Sequence, residues 1–142
     1  MPLWIYKILD YFFIIFHTAL ILFNLFGWIW KQTRIGNFIT LNLTAFSWFV
    51  LGIWYGWGYC FCTDWHWQVR QHLGELSLEH SYIAFLIRIL TGLSFNESLV
   101  DMATGLVFAI VYVISWIYFV RGVLLKKNGV NEYSNTIKGD EA

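Results

Sequence analysis

Residues 78–93 read LEHSYIAFLIRILTGL, and how this stretch is assigned decides how many times the chain crosses a membrane. Its clearest apolar run, Tyr82 to Leu93, is about twelve residues long and contains Arg88. Roughly twenty apolar residues are needed to cross bilayer hydrocarbon, so this run is short for a span. Ser81, Ala84, Arg88 and Thr91 recur at helical spacing and make one small or polar stripe on an otherwise apolar helix. That pattern predicts a short helix at about 78–93, lying in the interface or half-buried against a bundle.

Three longer runs surround it. The first covers about 8–30, and twenty-three residues at about 1.5 Å rise reach roughly 34 Å, enough to cross. The second covers about 38–59 and the third about 98–120. The expected architecture is therefore an all-α integral membrane protein, with three transmembrane helices in a domain of residues 1–125 and a polar tail at 126–142 that lacks periodicity. Composition agrees: of 142 residues, 58% are hydrophobic and only 13% charged, more apolar surface than a soluble domain of this size can bury. Trp4, Trp28, Trp30, Trp54, Trp57, Trp65 and Trp67 lie near the ends of apolar runs, where an indole ring meets lipid and its N–H meets water. The first run lacks a basic start and a small-residue cleavage site, so it is expected to be retained rather than cleaved. Formal net charge is zero, and nothing suggests nucleic acid.

With three spans, Lys31, Arg34, Arg121, Lys126, Lys127 and Lys138 share one side, and Lys7, Arg70 and Arg88 share the other. The positive-inside rule then puts the short turn and the tail in the cytoplasm and the Cys60–Leu76 loop outside. A fourth span would put that loop in the cytoplasm, also with a positive-inside balance. Length and Arg88 favour three.

Polar residues inside the spans fall into stripes. Asp10, His17 and Asn24 are spaced by seven, nearly two helical turns. Asp101, Thr104, Tyr112 and Ser115 share a face of the third run, and Thr40, Thr44 and Ser47 one of the second. Facing lipid, these groups would lack partners, so they are expected to form a seam between helices. Gly52 and Gly56 read as a small-residue pair that permits close helix approach. His17 is the deepest ionisable side chain and a functional candidate for that reason; the alternative is an interhelical hydrogen-bonding role. Asp10 and Asp101 read as helix-end carboxylates or as members of His17's pocket.

The loop after the second run contains Cys60, Cys62, Asp64, His66 and His72. Thiolates and imidazoles bind zinc and copper, so a metal or redox site is one reading. No second ligand pair and no Cys-x-x-Cys accompanies it, and the other reading is an interfacial loop anchored by Tyr59, Phe61, Trp65 and Trp67. Haem would want two deep histidines, and only His17 is deep. Catalytic triads, P-loops and dinucleotide turns are missing.

An intramembrane His17, Cys60 with Thr63 after the second run, and Glu79-His80 with Tyr82 ahead of the third together resemble a family of small bacterial membrane proteins known as domain of unknown function 2784. The family usually has Cys-Pro-Leu-Thr where this chain has Cys60-Phe61-Cys62-Thr63. The resemblance spans about residues 4–121 and implies a bacterial inner-membrane bundle; it supplies no activity.

Three functional expectations follow. The first is an accessory or assembly subunit with a protein partner or a second copy of itself, because three spans around a narrow seam leave little room for a substrate cavity. The second is a metal or redox site at Cys60, Cys62 and His66, with zinc or copper. The third is a lipid- or quinone-handling enzyme, with His17 as base and Arg88 gripping an anionic headgroup.

Overall fold

The computed structural model describes residues 2–56, 58–75 and 80–140, with side chains to Lys127. Among them, three helices are long and apolar enough to cross a membrane: Leu3–Phe26, Arg34–Tyr55 and Glu97–Lys127. We name the elements α1 (Leu3–Phe26), α2 (Arg34–Tyr55), α3 (Phe61–His72), α4 (Tyr82–Thr91) and α5 (Glu97–Asp140). The first two spans begin and end about four residues earlier than hydropathy suggests. The last helix continues as helical backbone to Asp140, through the stretch where composition points to a structureless tail.

Apolar side chains face outward: Ile15, Leu43 and Met102 are each more than 60% exposed. The buried positions include His17, Asn37, Ser47 and Ser115. This distribution suits a lipid solvent, in which polar atoms must find partners within the protein. Asn24 accepts from Thr40 Oγ1 at 2.7 Å and donates to Thr44 Oγ1 at 3.2 Å. Tyr112 donates to Asn42 Oδ1 at 3.0 Å, and Ser115 to Asn37 Oδ1 at 3.3 Å. The seam is thus real for Asn24 and Tyr112.

Asn37, which the sequence reading puts in the connecting turn, is completely buried. Its amide donates to the Phe23 and Asn24 carbonyls at 2.8 and 3.1 Å, satisfying oxygens that the end of α1 leaves open. Gly27 makes room for it, since a Cβ there would stand 2.5 Å from the Phe23 carbonyl oxygen and 3.0 Å from Asn37 Nδ2. The Gly52/Gly56 expectation fails at Gly56, which ends α2 with φ +105° and open space around it.

Residues Ser47–Leu51 of α2 form a π turn. Ser47 Oγ uses its place there to donate to the Tyr59 carbonyl at 2.8 Å. Such turns recur near functional sites.

The Cys60 loop is mostly helix. In α3, Cys62, His66, Val69 and Arg70 face inward at helical spacing, and Phe61 and Trp65 outward. Trp67 is not a lipid anchor: it packs with Ile14 and Ile21 against the buried Tyr82–Phe85–Leu86 cluster of α4. Helix α4 is accordingly half-buried. Ser81 caps it by accepting from the Ala84 N–H, and Gly92 closes it in the left-handed region at φ +75°, as C-caps commonly do. Glu97, at the start of α5, accepts from the His80 and Ser81 N–H groups and ties the two helices together.

Candidate functional site

Helix α3 lies along the first half of α1, and this brings Asp10 to His66 across 56 residues of sequence. Asp10 Oδ1 is 2.8 Å from His66 Nε2 and 3.0 Å from Arg70 Nη1. His66 is wholly buried, and its Nδ1 lies 2.7 Å from the Tyr82 hydroxyl. Paired with Arg70, the Asp10 carboxylate can only accept, so His66 Nε2 carries the hydrogen and Nδ1 accepts from Tyr82. The chain Tyr82 → His66 → Asp10 therefore has one direction, and it leaves the free lone pair of Tyr82 oxygen available to a ligand. Arg70 also bonds Glu75 and stacks over the Phe85 ring.

Burial holds the His66 imidazole below its ordinary value of 6.5, against the opposing pull of the Asp10 carboxylate; Arg70 reinforces the lowering. Burial pushes the Tyr82 hydroxyl well above its ordinary value, and nearby Asp10 adds to this. The two groups are thereby neutral at physiological pH. Unfolded, His66 titrates near 6.5. The unfolded chain therefore binds more protons in acid, and stability present above that pH is lost as the pH falls below it. Melting in detergent at pH 8 and pH 5.5 should show the loss, and His66→Gln should flatten it. Asp10, Arg70, Tyr82 and His17 face the ring and set the comparison. An equally acid-labile His66→Gln protein would place the titration elsewhere.

Tyr82 leads to His17, whose ring centroid is 4.4 Å away. His17 is only 7% exposed, and its Nδ1 has no hydrogen-bond partner. Two adjoining cavities meet at this ring. One, of about 450 Å³, is apolar and lies between α1, α2, α4 and α5, bounded by Leu41, Trp48, Ile83, Val100 and Phe108 among others. The second, of about 390 Å³, is more polar and includes Thr63, His80, Ser81, Tyr82 and Asp101. Both volumes lie within the range of small-molecule sites. Ser81 Oγ donates to Asp101 Oδ1 at 2.5 Å.

A family profile described as "Protein of Unknown function (DUF2784)" matches residues 7–120. The chain belongs to the DUF2784 family. No curated protein and no solved structure matches it.

In this DUF2784 chain, the positions that carry the resemblance converge. His17, Cys60, Thr63, His80 and Tyr82 all border the polar cavity; Glu79 lies outside the described residues. The expected polar stripe of α1 divides three ways: Asp10 to His66, His17 to the cavities, and Asn24 to α2. Asp101 is exposed and reaches the polar cavity.

The metal-ligand expectation does not assemble, because its histidines and Asp64 are engaged elsewhere. His66 spends both nitrogens on Asp10 and Tyr82. His72 bonds the Gln68 carbonyl and stacks on Tyr6, and Asp64 accepts from Gln68. Among the described residues no three His, Cys, Asp or Glu side chains gather as a metal site. Nor does Arg88 border either cavity; its guanidinium lies over the Phe85 ring. The expectation that three spans leave little room is also wrong, since cavities of about 450 and 390 Å³ lie among the helices.

The signal for the Asp10–His66–Tyr82 chain was weak. Cys62, His66, Val69 and Arg70 have helical spacing, but nothing local pairs that face with α1.

Proposed function

We propose that this DUF2784 protein binds a lipid-soluble amphiphile, holding the apolar body between α1, α2 and α5 and the polar head beneath α4. The observation that carries this reading is the junction at His17. An apolar chamber and a more polar one meet there, and the more polar one is bordered by five of the positions on which the family resemblance rests. A ligand that must be extracted from lipid needs both surfaces in that order.

The test is purification in mild detergent followed by lipid extraction and mass spectrometry. A retained amphiphile near one per chain is expected. Ala103→Phe, which fills the apolar chamber, should lose it while keeping the helical content. Preparations that carry only the bulk lipid mixture, unchanged by that substitution, would defeat the reading.

The same proposal places the chain in a bacterial inner membrane with α3 and α4 on the outer side. It is supported by the surplus of Lys and Arg at the opposite end, at Lys31, Arg34, Arg121, Lys126, Lys127 and Lys138. Membrane-impermeant thiol labelling of intact spheroplasts tests it. Cys60 is partly exposed, whereas Cys62 is buried and its thiol is pushed up to about 11 by that burial and by Cys60 beside it. The thiolate is the reactive form, so Cys60 should label first at pH 8, and Cys62 only as the pH approaches 11 or on unfolding. Labelling of Cys60 solely after permeabilisation would invert the orientation.

A further inference from the structure

We infer that the head of the bound amphiphile is an uncharged hydroxyl, read by His17 and Tyr82. This rests on the binding reading above and adds to it the chemistry of the ligand. Tyr82 has committed its hydrogen to His66, so toward the cavity it can only accept. Ser81 has committed its hydrogen to Asp101. The Asp101 carboxylate adds further acceptor oxygens. These fixed acceptors ask for a hydrogen-bond donor, while the Thr63 hydroxyl and the His80 imidazole on the same wall can donate in return.

Charge narrows the choice. Among the described residues no Lys or Arg borders either cavity. A carboxylate or phosphate head would sit beside Asp101 with no Lys or Arg to hold it, which is unfavourable in a partly dry site. A cationic head would find Asp101, but that carboxylate is at the exposed mouth. His17 lies deeper, against the apolar chamber, where an unpaired cation is expensive.

His17 supplies the last constraint. Its ring borders both cavities, and its buried Nδ1 is unpartnered. A hydroxyl donates and accepts, so it can pair with the cavity-facing edge of this ring in either tautomer, whereas a quinone carbonyl or an ether pairs with only one. With the rings of His17 and Tyr82 4.4 Å apart, both belong to a single patch at the chamber junction.

The experiment uses the full chain in dodecyl maltoside with tritiated farnesol as probe. Farnesyl methyl ether, farnesoic acid and farnesylamine serve as competitors with the same tail. Saturable binding of farnesol is expected, with each competitor about tenfold weaker or more, the loss that a buried hydrogen bond and its orphaned partner bring. His17→Phe should erase the preference for the alcohol over the ether. Tyr82→Phe, which keeps the ring and removes only the oxygen, should reduce it severalfold. Displacement by the ether, the acid or the amine as strong as by farnesol itself would overturn the hydroxyl assignment. So would a preparation that retains an amphiphile yet binds no farnesol. Absence of both retained amphiphile and farnesol binding would instead bring down the binding reading on which this one stands.

Discussion

Asp10→Ala should lower the unfolding free energy by about 3 kcal/mol, the scale found when one member of a buried ion pair is removed. The carboxylate serves two partners at once. Without it, His66 Nε2–H loses its acceptor in a fully buried position, and Arg70 loses one of its carboxylate partners while keeping Glu75. Both side chains of the Asp10–Arg70 pair are 15% exposed or less, so water offers little substitution. Asp10→Asn separates charge from geometry. Its amide oxygen can still accept from His66, so about half of the loss should return. Unfolding in detergent followed by circular dichroism measures both. Equal losses for the two substitutions would mean that charge alone matters; a loss below about 1 kcal/mol for alanine would mean that the pair is effectively solvated.

Asn37→Leu has the second-largest expected effect. Leucine has a similar volume, so the change removes hydrogen bonds more than packing. Three are lost: two to α1 carbonyls and one from Ser115. Interhelical hydrogen bonds within membranes average about 0.6 kcal/mol and reach about 1.7, so a total near 2 kcal/mol is expected. Crowding against Gly27 adds to this. Ser115→Ala should cost far less, because it breaks only the longest of the three. If Ser115→Ala were as damaging as Asn37→Leu, the capping of α1 would not be where the energy lies.

The spans were legible because length and hydropathy act locally. Twenty apolar residues announce themselves wherever their neighbours are. The inward placement of His17, Asn24 and Tyr112 was legible for a related reason: lipid offers polar atoms nothing, so a stripe at helical spacing has only one sensible direction. The short helix, expected at about 78–93 and found at Tyr82–Thr91, was readable from its length and from the stripe of Ser81, Ala84, Arg88 and Thr91.

What stayed hidden depends on tertiary pairing. Asp10 and His66 are separated by two spans, and no spacing rule connects them. His66 looked like a metal ligand because two cysteines precede it in sequence, but in the fold its two nitrogens meet Asp10 and Tyr82. Asn37 looked like turn because charged residues precede it; its burial follows from Gly27, ten residues away, allowing the two helix ends to approach. The cavities were invisible for the same reason, since their walls come from five helices far apart in sequence.

The π turn at Ser47–Leu51 has one residue more than an α-helical path would need. Deleting a single residue from it would close the bulge, restore α-helical winding and re-aim the side chains carried within it. Trp48 and Phe49 would swing away from the chambers they border, and Ser47 would lose the strand of backbone at Tyr59 that it anchors. The shape of the cavities is thus encoded partly in a residue count, so this short interval should tolerate substitution far better than any change in its length.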